Sequence, residues 1–267
     1  MSTGVSKMKL HNSIRPRGRI ADRLGGPQLT DATQSASCAD VSEHALCFPL
    51  SPTHVHPLSA TYLQQRRVIA FCPDHRVTRA YDVLRNQIVN HQLGPAAHVL
   101  AVTAPTPKTG SSVTALNLAF SFARLAAGVI ALIDTGDKTS STTNLLNLSP
   151  PAKGGSDRGE HLIVDAAGVR FNLVRPRPGE IGITGHAELA DSIELLKQAI
   201  SPNIIILDLP PLLRSDKAVQ LVSRADSTVL VLASNFTTRS DFDICRTFFP
   251  SDQRLQVVLN RARRHGL

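Results

Sequence analysis

A chain of 267 residues with 42% hydrophobic and 19% charged side chains is long enough to bury one large core or two small ones, and too apolar for wholesale disorder. Aromatic residues make up only 4%, with no Trp and with Tyr62 and Tyr81 the only tyrosines, which argues against a single-strand nucleic-acid platform of stacked rings. The net charge of +8 suits nucleic acid, anionic lipid or an acidic partner alike, while collagen, disulfide-scaffold, coiled-coil and channel compositions are excluded.

Residues 1 to 60 are rich in Ser, Thr, Pro, Gly and His and follow neither a period of 2 nor one of 3.6, which predicts a disordered basic tail before one α/β domain over residues 61 to 267. The tail opens with Lys7, Lys9, Arg15, Arg17, Arg19 and Arg23 against Asp22 alone, a cluster that solvates an arm and could touch phosphate-rich surfaces. His54 and His56 are spaced as a metal pair would be, but no third ligand stands near them in sequence. Cys38, Cys47, Cys72 and Cys245 form no CxxC pair and read as free thiols in a reducing compartment. The start MSTGVSKMKL has no apolar signal core, and no stretch reaches the roughly 18 apolar residues of a span, so a cytoplasmic location is expected, at most peripheral at the inner face of the plasma membrane.

Beyond the tail, TRAYDVLRNQIVNHQ predicts an amphipathic helix with Ala80, Val83, Leu84 and Ile88 on one stripe. HVLAVTA (98 to 104) reads as a strand and SVTALNLAFSFARLAAG as a helix stopped by Gly128, followed by the strand GVIALID (128 to 134). LIVDA and FNLVRP are short strands around Gly168, ELADSIELLKQAI (188 to 200) a helix, and NIIILD (203 to 208) an aliphatic strand. STVLVLAS (227 to 234) and LQVVLN (255 to 260) complete the strands, with the helical pattern DFDICRTFF between them. Continuous apolar runs mean strands buried on both faces, and strands separated by helices mean right-handed crossovers. The predicted fold is an open, mostly parallel α/β sheet flanked by helices.

In such sheets ligands bind beyond the carboxyl ends of the strands. Three ends carry suggestive chemistry. The loop TAPTPKTGSSVT (103 to 114) joins a buried strand to a helix, where Lys108, Thr109, Gly110, Ser111, Ser112 and Val113 would cradle phosphates with backbone amides and the Ser112 hydroxyl would reach magnesium. Asp134 ends VIALID and Asp208 ends NIIILD. One acid at a strand end is a common turn starter, but two beside such a loop describe a nucleotide site, in which Asp134 and Asp208 orient the nucleophile and hold the metal's shell together with Ser112.

The blocks VTAPTPKTGSSVTALNLAFSFAR, ALIDTGDK and IIILDLPPLLRSD resemble the nucleotide-binding blocks of the bacterial tyrosine kinase family, P-loop domains that work with membrane proteins controlling capsule and exopolysaccharide chain length. The resemblance runs from about residue 62 to 263, with LDLPPLL and Ser215-Asp216 its most specific part; the TALNLA helix is shared with partitioning ATPases of the same P-loop branch. It implies ATP or ADP with magnesium as ligand, a membrane polysaccharide chain-length or export protein as partner, and self-association, without a specific nucleic acid.

This sequence departs from that family at charged positions. The family's loop ends Gly-Lys-Ser or Gly-Lys-Thr, whereas this one reads Gly110-Ser111-Ser112, with Lys108 earlier in the loop. The family's Asp-x-Asp-x-Arg is here Asp134-Thr135-Gly136-Asp137-Lys138, and its oligomer-forming Glu-x-x-Arg-x-x-Arg is Arg79-x-x-Asp82-x-x-Arg85. The tyrosine-rich tail is replaced by NRARRHGL. Phosphoryl transfer rests on charge and positioning, with single groups worth factors of about 10³, so these losses predict weak or absent turnover with binding better preserved. Three functions stay open: a regulator of polysaccharide synthesis or export that binds without turnover; an ATPase or tyrosine kinase using Lys108; and a partitioning or localisation module whose Arg254, Arg261, Arg263 and Arg264 meet DNA or membrane, or form a solvated face.

Overall fold

The computed structural model describes residues 48–92, 97–125, 128–136, 141–148, 159–176 and 185–262. The basic cluster of the tail, Cys38, Cys47, Asp137, Lys138, Arg263 and Arg264 lie outside the described residues.

The elements alternate as the aliphatic runs require. They are β1 (Val55–Pro57), α1 (Ala60–Gln65), α2 (Thr78–Gln92), β2 (His98–Thr103), α3 (Ser111–Arg124), β3 (Val129–Asp134), α4 (Ser141–Leu145), β4 (Glu160–Ala166) and β5 (Val169–Arg175). There follow α5 (Gly185–Ile200), β6 (Pro202–Asp208), α6 (Asp216–Val222), β7 (Ser227–Ala233), α7 (Arg239–Arg246) and β8 (Arg254–Asn260). One sheet contains all eight strands in the order β1-β4-β5-β3-β6-β2-β7-β8. Pairing is parallel except between β4 and β5, so the sheet is mostly parallel, as predicted. The exception is a hairpin closed by Ala167 (φ 51) and Gly168 (φ 83), a two-residue turn whose positive φ values match the strand twist.

Two apolar layers cover the sheet. On one face α2 and α3 pack through Leu84, Ile88, Leu116, Phe120 and Phe122 against Leu100, Leu132 and Ile206. On the other, Leu189, Ile193, Leu196 and Leu221 cover Ala101, Ile133, Ile205 and Leu207. The central helix α3 is buried without a break from Thr114 to Phe122, as an element apolar on all sides must be.

Three sequence expectations change. The tail was expected to reach residue 60, but residues 48–60 belong to the domain: β1 pairs with β4, and Phe48 is 1% exposed. His161 holds this strap, its Nδ1 donating to Pro49 O at 3.0 Å while its own carbonyl accepts the Thr53 amide at 2.8 Å. A strap that borrows its hydrogen bonds from a strand edge needs no periodicity of its own. The second change concerns α2, whose Leu84 and Ile88 are buried while Ala80 and Val83 face outward. The helix is rolled because the Arg85 guanidinium, 7% exposed, donates to Ser121 O of α3 at 2.8 Å. Thirdly, LQVVLN is not buried on both faces: β8 is an edge strand with only β7 beside it, and Val257 and Leu259 are 47% and 57% exposed.

Candidate functional site

Strand register builds the site. Val102 of β2 and Asp134 of β3 both pair with Asp208 of β6, so the two acids stand side by side where the loop after β2 begins. The chain crosses from β2 to β3 with β6 between them, and such a change of direction opens a crevice at the strands' carboxyl ends.

The loop is shaped by its backbone. Lys108 (φ 65) and Gly110 (φ 98) both take the left-handed conformation, and α3 starts at Ser111 with no side chain capping its first turn. Uncapped amides at a helix N-terminus attract anions. Two neighbours clamp the loop. From the end of β8, Asn260 Nδ2 donates to Thr109 O at 2.7 Å and the Arg261 guanidinium to Lys108 O at 2.6 Å. From the segment after β6, the Leu212 and Leu213 amides donate to Ala104 O and Pro105 O at 2.8 and 3.1 Å. A Cβ on Gly110 would lie 2.3 Å from Asn260 Nδ2, so Gly110 is required both for its φ and for this close approach.

The acids lie under the loop. Asp134 and Asp208 are 5% and 4% exposed. Ser112 Oγ donates to Asp208 Oδ1 at 3.1 Å and Thr142 Oγ1 to Asp208 Oδ2 at 2.6 Å. Thr143 Oγ1 donates to Asp134 Oδ2 at 3.3 Å, and the Gly136 amide to Asp134 Oδ1 at 3.0 Å. Burial, reinforced by the neighbouring Asp134 carboxylate, pushes the Asp208 carboxyl up to about 7 against the relief given by the Thr142 and Ser112 hydroxyls.

This donor set fits a magnesium nucleotide. Hydroxyl and carboxylate oxygens are the hard ligands that magnesium takes, usually one or two carboxylates with the remainder from phosphate and water. Within the loop, Thr106 Oγ1 and Thr109 Oγ1 are buried without a hydrogen-bond partner, as hydroxyls awaiting a ligand would be. Ser112, Asp134 and Asp208 would hold the metal, and the backbone of Thr109, Gly110, Ser111, Ser112 and Val113 would hold the phosphates. Bound magnesium supplies charge neutralisation of the phosphates.

The structure brings the predicted loop, Ser112, Asp134 and Asp208 together. Lys108 is less central: its side chain is exposed and only its carbonyl is tethered. Sequence reasoning missed Thr142, Thr143, Asn260 and Lys217. Asn260 had a visible signal, since it ends an aliphatic strand and strand ends line the crevice. Arg261 was read as part of a basic face. It braces the loop instead, while Arg254 stands at the opposite end of the same strand, about 20 Å away at 3.3 Å per residue. His54 and His56 bond to Thr53 Oγ1 and Leu146 O, and among the described residues no group of three His, Cys, Asp or Glu could hold a metal.

The charges of α2 are used within the molecule. Asp82 meets both Arg85, at 3.0 Å, and Arg124, and also accepts from Ser121 Oγ at 2.6 Å. Burial would push the Asp82 carboxyl up, but the Ser121 and Arg124 hydrogen bonds and the two guanidinium charges outweigh it and hold the carboxyl low. Of the three charges on that helix, Arg79 alone is exposed.

Comparison with known proteins agrees with this geometry. The kinase domain of Escherichia coli tyrosine kinase ETK superposes with a TM-score of 0.58 at 17% identity, covering 73% of this chain and 79% of that one. The chimerical protein CapA2B2 superposes at 0.57 and 18%, covering 83% and 98%, and the BceF tyrosine kinase domain at 0.50 and 17%, covering 81% and 95%. No protein-family model matches the sequence, and no curated protein does. Fold and site together define an α/β protein with a mostly parallel sheet and two buried acids at its strand ends, beside a loop that feeds a helix. Within that class the chain shares the fold of these bacterial tyrosine kinase domains.

Proposed function

We propose that this chain binds ATP or ADP with magnesium at the ends of β2, β3 and β6, and that it regulates polysaccharide synthesis or export without an efficient phosphoryl-transfer step of its own. The observation that carries the binding part is the buried pair Asp134 and Asp208, with the Ser112 hydroxyl already on Asp208 beneath an uncapped helix N-terminus. The regulatory part rests on Ser111, which occupies the place of the family's loop lysine, and on Gly136, which replaces its second acid. Backbone amides and the helix dipole still attract phosphate without these groups, whereas transition-state charge loses its main stabilisers.

The pathway and the partner follow from the likeness of the three sequence blocks to the tyrosine kinase family. They point to a membrane chain-length or export protein met at the cytoplasmic face of the plasma membrane. No helix among the described residues is long and apolar enough to cross a membrane, so a peripheral contact is the form proposed here. Self-association through α2 would draw on Arg79, because Asp82 and Arg85 already serve the contact with α3.

Calorimetric titration of the full chain with ATP and with ADP, each with and without magnesium, tests the reading. Saturable magnesium-dependent binding with negligible hydrolysis is the expected result. No heat with either nucleotide would overturn the binding site. Robust magnesium-dependent hydrolysis abolished by Asp208→Asn would overturn the regulatory role.

A further inference from the structure

Among the described residues β8 has β7 alone beside it, so its other edge is open. Asn260 O accepts the amide of Ser234, just past β7, at 2.9 Å, which shows that Asn260 turns its peptide groups toward β7. Peptide groups alternate along a strand, so Leu255, Val257 and Leu259 turn theirs outward. Natural edges of this kind carry a charge, a proline or a bulge that blocks further pairing. The stretch Leu255-Gln256-Val257-Val258-Leu259 has neither charge nor proline, and its register with β7 is unbroken.

Both faces of this edge are apolar. Val257 and Leu259 stand exposed on the face of Leu255, whereas Val258 lies on the face of α2. On that second face β8 and the α2 region border a groove of about 840 Å³, far larger than a packing defect, with Val77, Ala80 and Val83 exposed on its other wall. A strand laid along β8 covers both sets at once. The charged side chains lining the groove are Arg76 and Arg261, and no described carboxylate lines it. They share one end. Tyr81 bonds to Thr114 in the first turn of α3 and Arg85 to Ser121 farther along, so α2 runs beside α3 from the loop onward. Its start, with Arg76, therefore lies where β8 finishes at Asn260 and Arg261, against the same loop. Arg76 pairs with no described acid, and the Arg261 guanidinium donates to a neutral carbonyl.

We propose that β8 is a strand-addition site for an extended segment of another protein, apolar at alternate positions and carrying a carboxylate at the end that reaches Arg76 and Arg261. Main-chain hydrogen bonds to Leu255, Val257 and Leu259 supply affinity, and the two apolar faces select side chains. The cations at one end fix the direction and exclude basic segments. A second copy of this chain fits poorly. Two β8 strands paired antiparallel about Val257 would set Arg254 of each copy beside Asn260 and Arg261 of the other, like charge near like at both ends. The surface lies outside the nucleotide reading and stands without it.

Random short peptides displayed on phage and selected against the full chain supply the probe, which is then synthesised with a fluorescent label and titrated by anisotropy. The expected sequences alternate apolar residues and end in Asp or Glu on one side. Binding slows hydrogen exchange at the Leu255, Val257 and Leu259 amides. Val257→Pro removes an amide that faces outward and spares the β7 ladder, so the variant folds, as melting verifies, while affinity falls by about tenfold or more. Arg76→Glu weakens the same peptide by about threefold or more, and the loss shrinks as salt rises. A selection that enriches nothing, peptides without acidic residues, or binding indifferent to Val257→Pro overturns the proposal. A chain that sediments as a dimer and turns monomeric in Val257→Pro overturns it in favour of a second copy. Binding to phosphatidylglycerol vesicles that Arg76→Glu abolishes, with no peptide enriched, overturns it in favour of a lipid surface.

Discussion

Asp208 is the residue at which the site's chemistry and the fold's stability meet. Its carboxyl is raised from 3.8 to about 7 by burial and by Asp134. The folded state therefore holds a proton that the unfolded chain releases, and stability falls as pH rises from about 4 to about 7. Below that window both states are protonated; above it the penalty is complete and constant. Asp208→Asn removes the charge, so in magnesium-free buffer the variant should melt above the wild type at pH 8, by the order of 2 kcal/mol, and converge with it near pH 4. A wild-type melting curve independent of pH across this range would contradict the buried pair. Such a cost is expected where the ligand that neutralises the acids is a separate molecule.

Among the elements, α3 explains how a nearly wholly buried helix keeps its place. Asn117 on its buried face is 0% exposed and makes four hydrogen bonds. Its Oδ1 accepts the Ile69 and Ala70 amides at 2.8 and 2.9 Å, and its Nδ2 donates to Arg67 O and Val113 O at 3.0 and 2.7 Å. This amide fastens the stretch before α2 onto the helix that carries the loop. Asn117→Leu conserves size but strands two buried amides, which should cost about 3 kcal/mol in urea unfolding. The Asp82, Arg85 and Arg124 network joins α2 to the same helix farther along. A helix braced in this way holds Ser111 and Ser112 where the loop's amides converge.

For the whole molecule, the informative part is the strap formed by residues 48–57. It lays β1 along β4, covering that edge of the sheet, and seats Phe48 in the same apolar layer as Leu189 and Ile193 of α5. A tail residue could be truncated at no cost, whereas a phenylalanine 1% exposed could not. Phe48→Ala should destabilise the chain by about 3 kcal/mol in denaturant titration, and a neutral result would return this segment to the tail. The opposite margin is handled differently. β8 leaves Val257 and Leu259 outward, beside an open groove that it shares with Val77, Ala80 and Val83 of the α2 region.

What the sequence determined by itself is whatever depends on local composition. Unbroken aliphatic runs ending in Asp134 and Asp208 fixed central strands and their acidic ends, because a strand buried on both faces admits no other pattern. Gly110 and the hydroxyls after it marked the turn from β2 into α3 for the same local reason, a glycine with positive φ feeding a helix. The tertiary structure decided what depends on partners distant in sequence. Strand order put β6 between β2 and β3 and so made the two acids neighbours, and α2 was rolled by a guanidinium that found Ser121. Thr142 joined the site from a position whose own neighbours in sequence carry no sign of it. A hydrogen bond across the fold leaves no periodicity behind, and only the packed chain reveals which side chains converge.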